Sequence, residues 1–134
     1  MVEVEVFVEV EVNPTEDETK VRRTIDNVVG DAEVTFKPAA RGNILVAHAK
    51  GQSSLLRLRK LMANDRIRDA ARKLLLKKIR RDTLSFFLNK QVAYAGHVSF
   101  CEETAESPLG PIRFTIKSDN PTQLVEWLAE KTST

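Results

Sequence analysis

Apolar and polar residues alternate at the start of the chain, which reads VEVEVFVEVEV from Val2 to Val12. The valines fall on one side of an extended chain, whereas Phe7 and four glutamates fall on the other. A period of two with β-branched residues predicts a half-buried antiparallel strand. Pro14 ends this strand, because proline cannot donate a hydrogen bond to a neighbouring strand.

A helical pattern follows. Thr15 and Glu18 have the spacing of a capping box, which predicts a helix from about Glu16 to Val29, with Gly30 as its terminator. The apolar side of this helix holds Val21, Ile25, Val28 and Val29.

Two shorter strands are predicted next. Val34 and Phe36 alternate with polar residues, and Pro38 ends that strand. A turn at 41–43 leads into a third strand over 44–49.

Residues 54–81 contain no glycine or proline and are rich in Leu, Arg, Lys and Ala, which predicts helix. The apolar positions do not keep one register, because polar Asp65 interrupts the series that begins at Leu55. We expect two helices that meet near 63–65, with Asn64 as a possible cap of the second, or one bent helix.

The rest of the chain predicts three strands, at about 83–88, 97–101 and 112–117, and a terminal helix. Asn120 or Asp119 caps this helix, and Pro121 is its first residue. The order β-α-β-β-α(α)-β-β-β-α predicts an α+β fold over residues 1–134 as a single domain. We expect two layers, a largely antiparallel sheet with helices on one face.

The chain has 134 residues, of which 42% are apolar and 30% charged, so one hydrophobic core is feasible. No apolar run approaches the roughly 18 residues that a membrane span needs. The alternating N-terminus does not resemble a signal peptide, so a cytoplasmic location is expected. A single cysteine excludes an internal disulfide and a multi-cysteine zinc site.

Charge is strongly segregated along the chain. Residues 1–36 carry a net charge of −7, residues 37–100 carry +12 and residues 101–134 carry −3. The basic middle segment is a candidate footprint for phosphates. The alternative is that it pairs with the acidic ends within the fold.

A helical projection of the basic segment, at about 100° per residue, gathers four cations on one flank of an apolar face. These cations are Arg66, Lys73, Lys77 and Arg80. Such a stripe suits a phosphate backbone. A solvated helix face is an open alternative; an anionic membrane surface ranks lower, because the apolar face is needed to cover the sheet. Arg68 and Arg72 are expected to pair with Asp65 and Asp69 within the helix.

The stretch NKQVAYAG at 89–96 is predicted to connect two strands of a hairpin. Asn89, Lys90 and Gln91 offer amide and ammonium donors that suit phosphate, ribose or base edges. Tyr94 is a candidate for stacking on a base, or for filling the core.

The glutamates of the first strand form a row rather than a closed ion cage, since alternate residues lie about 6.6–6.8 Å apart. We expect them to pair across strands with Arg113 and Lys117. Phe7 lies on the same face, where it marks a partner surface or homodimer contact, or is covered by a neighbour.

Candidates for catalysis are few. His48 and His97 are isolated in sequence and are interpreted as structural, and Ser85, Ser99 and Cys101 have no nucleophile motif around them. There is no nucleotide-binding or zinc-protease motif. We therefore expect a protein that is not an enzyme, with no cofactor, no metal site and no small-molecule substrate.

Four segments, taken together, resemble an uncharacterised archaeal protein family labelled predicted RNA-binding protein or possible exosome subunit. They are VEVNPTED ending at Asp17, RIRDAARKLL at 66–75, FLNKQVAYAGHVSF at 87–100 and SPLGPIRFTI at 107–116. The resemblance implies a fold similar to the large-subunit ribosomal protein that binds 5S RNA, and it implies RNA as a partner.

These observations predict RNA binding through the basic stripe, mostly by shape and backbone, because few aromatics are expected at the surface. The contact residues would be Arg66, Lys73, Lys77, Arg80, Asn89, Lys90 and Gln91. The alternative is a protein-interaction module, or a homodimer, that uses the sheet face carrying Phe7.

Overall fold

The computed structural model describes residues 3–40, 42–102 and 110–131. Its strands are β1 Val4–Val12, β2 Glu33–Pro38, β3 Asn43–Lys50, β4 Ile79–Arg80, β5 Thr83–Asn89, β6 Phe100–Cys101 and β7 Pro111–Ser118. Its helices are α1 Glu18–Val28, α2 Leu56–Asn64, α3 Arg68–Lys77, α4 Lys90–Tyr94 and α5 Pro121–Leu128, and a 3-10 turn over Gln52–Leu55 precedes α2. Residues 103–109, before β7, and residue 41, in the turn predicted at 41–43, lie outside the described residues.

The strands form one open sheet in the order β2-β3-β1-β7-β5-β4, with β6 paired to β5. Every pairing is antiparallel, which confirms the predicted α+β class. The first and last strands are neighbours, and their register sets Glu5 opposite Lys117 and Glu9 opposite Arg113.

The core lies between one face of this sheet and the helices. Val6 and Val8 are fully buried on that face of β1, as the alternation predicts. Phe86 of β5 and Phe114 of β7 stack there with ring centroids 4.9 Å apart. Burying a side chain of this kind contributes about 1.5–3 kcal/mol, so the alternating pattern of β1 is a main source of stability.

Helix α1 begins two residues later than predicted. Its N-cap is Asp17, whose side chain accepts from the backbone N–H of Thr19. Glu16 is not part of the helix, because its carboxylate accepts hydrogen bonds from the backbone and side chain of Asn13. The predicted capping box from Thr15 is therefore wrong.

The predicted break in the long basic segment is confirmed as two helices, α2 and α3. Arg66 takes a left-handed conformation with φ of 57°, which a continuous helix does not allow. Asn64 ends α2 and does not cap α3, whose N-cap is Ile67.

The region 89–101 keeps the predicted hairpin pairing, because β5 and β6 are antiparallel neighbours, but the connection between them holds a helix that was not predicted. Asn89 Oδ1 accepts from the backbone N–H of Val92 and caps the short helix α4. The backbone N–H groups of His97 and Val98 are bonded to Val92 O and to Asp65, so the predicted strand at 97–101 is reduced to the two residues of β6.

The terminal helix α5 follows the prediction. Asn120 Oδ1 accepts from Gln123 N–H, and Pro121 is the first helical residue. None of the described helices is long and apolar enough to cross a membrane.

Candidate nucleic-acid interface

Helix α3 buries Ala71 and Leu75 in the core and turns Lys73 and Lys77 to solvent. These two lysines are one helical turn apart, and residues at this spacing share a side of the helix. Both ammonium groups are therefore presented on the same side, about 6 Å apart along the axis.

The other two cations of the predicted stripe do not lie on α3, so the helical projection was wrong for these two residues. Arg66 lies in the turn before α3, and Arg80 lies in β4 after it; both are exposed. Arg80 Nη1 donates to the backbone oxygens of Lys77 and Ile79 at 3.0 and 2.9 Å. The stripe is thus a pair of helical lysines with one arginine beyond each end.

The charge of this surface is not neutralised by nearby acids within the part of the chain that the structure describes. No described carboxylate lies within ion-pair distance of Arg66, Lys73, Lys77 or Arg80. Asp69, four residues before Lys73, pairs with Arg72 at 3.1 Å, as predicted. We refer to Arg66, Lys73, Lys77 and Arg80 as the basic strip.

The three polar residues predicted as RNA contacts, at 89–91, do not share one exposed surface. Gln91 is exposed on α4, whereas Asn89 is half-buried and uses its side-chain oxygen as a helix cap. Lys90 is buried, with its side chain 4% exposed. Its Nζ donates to Glu16 Oε1 at 2.9 Å and to the backbone oxygen of Glu11 at 2.8 Å. The interpretation of Lys90 as an RNA contact does not fit this position, because its ammonium lies inside the protein.

Asp65 and His97 form a polar pair that the sequence reasoning did not identify. His97 Nδ1 lies 2.8 Å from Asp65 Oδ1, and the imidazole side chain is 63% exposed. Asp65 Oδ2 accepts from Val98 N–H, and the hydrogen bonds from His97 and Val98 hold the pKa of Asp65 below its usual range. The two residues are 32 positions apart, so no local pattern reveals the pair.

The open face of the sheet is the second notable surface. Phe7 stacks on His48 with centroids 4.8 Å apart, and His48 Nε2 lies 2.7 Å from Glu5 Oε2. His48 therefore covers part of Phe7, which agrees with the predicted alternative in which a neighbouring side chain covers this residue. Ile44 and Val46 are half-buried on the same face although none of the described helices packs there.

Chemical groups for catalysis remain sparse in the described ranges. Burial raises the pKa of the Cys101 thiol, with a smaller effect from Glu102, so the reactive thiolate is disfavoured. No group of three or more His, Cys, Asp or Glu side chains in the described part of the chain is placed to hold a metal ion.

Comparison with known proteins adds to this geometry. The sequence matches a family model described as RNA binding over residues 5–118. It is 44% identical over 124 residues to a UPF0201 protein of Pyrobaculum islandicum, which covers 92% of this chain and 87% of the relative. It is 41% identical over 130 residues to a UPF0201 protein of Saccharolobus solfataricus, covering 97% and 90%. The crystal structure of the UPF0201 protein from Methanococcus jannaschii is similar with a TM-score of 0.81 at 31% identity, covering 93% of this chain and 98% of that one.

Proposed function

Because this chain belongs to the UPF0201 family of archaeal proteins, whose family model is described as RNA binding, we propose that it binds RNA through the basic strip. The strip contacts phosphates, and the protein performs no catalysis in this role. Gln91 and the exposed phenol of Tyr94 are the further contacts that α4 offers.

One observation carries the proposal: the two lysines of α3 are exposed, one turn apart, and free of described carboxylates. A cation that already has an acid partner gains little from a phosphate, because it must exchange one ion pair for another. Lys73 and Lys77 make no such exchange, so a phosphate that binds them releases counterions, and this release favours binding.

The recognition is of backbone and shape more than of sequence. Lysine and arginine side chains contact phosphates without reading bases. Tyr94 and Phe36 are the two aromatic side chains that reach 40% exposure in the described part of the chain. The guanidinium of Arg22 lies over the Phe36 ring, so Tyr94 is the aromatic that α4 offers for stacking.

The test is ultraviolet crosslinking of the purified protein to RNA, with the modified residues identified by mass spectrometry. We expect adducts in the peptides that contain Arg66, Lys73 and Lys77. Adducts confined to β1 or β3, on the open face of the sheet, would contradict the proposal. The same experiment at high salt is the control, because phosphate contacts weaken as salt rises.

A second candidate is self-association through the open face of the sheet, with RNA binding elsewhere or not at all. The observation that favours it is the half-buried apolar surface of Ile44, Val46 and Phe7, bordered by glutamates. Sedimentation of the pure protein tests it: a dimer that is lost in Val46→Glu and kept in Lys73→Glu supports this face as the interface. A monomer at all accessible concentrations excludes it.

A further inference from the structure

The imidazole of His97 is held at one nitrogen and open at the other. Nδ1 is bonded to Asp65, whereas Nε2 makes no hydrogen bond to any part of the chain that the structure describes. Asp65 is itself fixed, because its second oxygen accepts from Val98 N–H at 2.9 Å and its side chain is only 16% exposed. The ring is therefore oriented, and its free edge lies in solvent.

This ring lies next to the basic strip. Asp65 directly precedes Arg66 in the turn that leads into α3. The segment 97–102 then follows one flank of α3, because His97 contacts Asp65 before the helix and Glu102 lies 4.0 Å from Lys78 after it. Between these ends, Phe100 and Leu74 line one small cavity. The exposed ring thus lies at the Arg66 end of the basic strip.

Asp65 determines which form of the ring can bind a phosphate. An ionised carboxylate only accepts hydrogen bonds, so in neutral His97 the proton must be on Nδ1. Nε2 is then an acceptor, and its lone pair opposes a phosphate oxygen. In the protonated ring, Nδ1–H donates to Asp65 while Nε2–H donates to the phosphate, and a positive charge is added.

We propose that His97 is a protonatable phosphate contact of the RNA surface, so that RNA binding takes up a proton at this imidazole. The inference rests on the proposed RNA-binding function and adds a regulation to it: RNA affinity falls as pH rises, because the imidazole loses the proton with which Nε2 donates to the phosphate. The charged groups beside the ring are Asp65, in contact with Nδ1, and Arg66, the next residue of the same turn.

The chain contains a matched control. His48 is the second histidine; it also contacts one carboxylate, Glu5, but it lies on the opposite face of the sheet and stacks on Phe7. Substitution of either residue by glutamine removes one imidazole and leaves the formal charge at neutral pH unchanged. A difference between His97→Gln and His48→Gln therefore reports position and not composition.

The experiment measures binding of an RNA hairpin, labelled with a dye whose emission does not depend on pH, from about pH 5.5 to about pH 8 at constant ionic strength. We expect wild type and His48→Gln to weaken by about threefold to tenfold over this range, and His97→Gln to show little change. Calorimetry in two buffers of different ionisation enthalpy checks the proton directly: uptake approaches one proton for wild type and disappears in His97→Gln.

A positioning variant separates orientation from simple charge. In Asp65→Asn the amide donates to Nδ1, so the neutral ring carries its proton on Nε2 and binds phosphate without protonation. We expect the RNA affinity of this variant to be independent of pH, so that it binds RNA at high pH as tightly as at low pH. A parallel shift of affinity at all pH values would show that only the charge of Asp65 matters, and would contradict the assigned role.

The outcomes distinguish the two proposals. If all variants bind RNA with the same pH profile as wild type, the role of His97 is wrong and the basic strip is unaffected. If neither the wild type nor any variant binds RNA at any pH, the proposed function and the inference both fail. Circular dichroism of each variant confirms that the fold is retained.

Discussion

Lys90 and Glu16 form an ion pair inside the protein, with Nζ and Oε1 2.9 Å apart and the two side chains 4% and 12% exposed. The pair joins the start of α4 to the loop before α1, and Lys90 also binds the backbone at the end of β1. Lys90, a charged residue in a polar stretch of sequence, is therefore buried inside the protein and is not exposed at its surface. Two predictions test this assignment.

Replacement of Lys90 by methionine should lower the free energy of unfolding by about 3 kcal/mol, because it leaves the buried carboxylate of Glu16 without its cation. Urea denaturation measures this change. The double variant with Glu16→Gln should recover part of the loss, because no buried charge remains. RNA affinity of folded Lys90→Met should match wild type; a selective loss of affinity without loss of stability would restore Lys90 as an RNA contact.

The lowered pKa of Glu16 also predicts how the stability of the protein changes at acid pH. Burial raises the pKa of Glu16, but the hydrogen bonds from Asn13 and Lys90 outweigh this effect and hold the pKa below its ordinary value of 4.5. A group whose pKa is lowered by folding stabilises the protein above the ordinary value, and this contribution is lost as pH falls through the folded-state pKa.

Glu16→Gln should therefore be less stable than wild type near neutral pH, and the difference should shrink as pH falls below about 4.5. Thermal unfolding followed across this pH range measures it. Residual acid sensitivity should remain, because the pKa of Asp65 is lowered in the same direction. A stability difference that grows toward acid pH would contradict the assignment.

Salt dependence supplies a third prediction. If the four residues of the basic strip each neutralise one phosphate, the logarithm of the RNA association constant should fall against the logarithm of salt concentration with a slope of about −3 to −4. Titrations at several salt concentrations give this slope. An affinity that is independent of salt would exclude a phosphate-based interface.

The regular elements were predictable because their signals are local. The alternation of β1 identifies the buried valines, and the spacing of Asn120 and Pro121 identifies the start of α5. The loss of apolar register at Asp65 likewise locates the break between α2 and α3.

The features that were missed depend on contacts between distant residues. Helix α4 has only five residues, and the side chain of Asn27, in α1, donates to the backbone oxygens of Ala93 and Tyr94 at its end. The burial of Lys90 depends on Glu16, 74 positions away. The contact of exposed His97 with half-buried Asp65 likewise depends on a turn whose geometry no local pattern reveals.

The sequence predicted the cations of the candidate site but not how they are arranged. A continuous helical projection placed four cations on one helix, whereas the left-handed Arg66 and the end of α3 at Lys77 leave only Lys73 and Lys77 on it. The projection failed because it assumed one helical phase across a segment that the chain interrupts.

The account depends most directly on whether Lys73 and Lys77 contact RNA. The deciding measurement is the RNA affinity of the double variant Lys73→Glu/Lys77→Glu at fixed salt, against the double variant Lys37→Glu/Lys60→Glu, which makes the same charge change on exposed lysines of β2 and α2. We expect the first variant to bind about tenfold to a hundredfold more weakly than wild type, with a salt slope smaller by about 2, and the second to remain near wild type. Equal losses in both variants, or none in the first, would contradict the assignment of the basic strip as the RNA-binding surface.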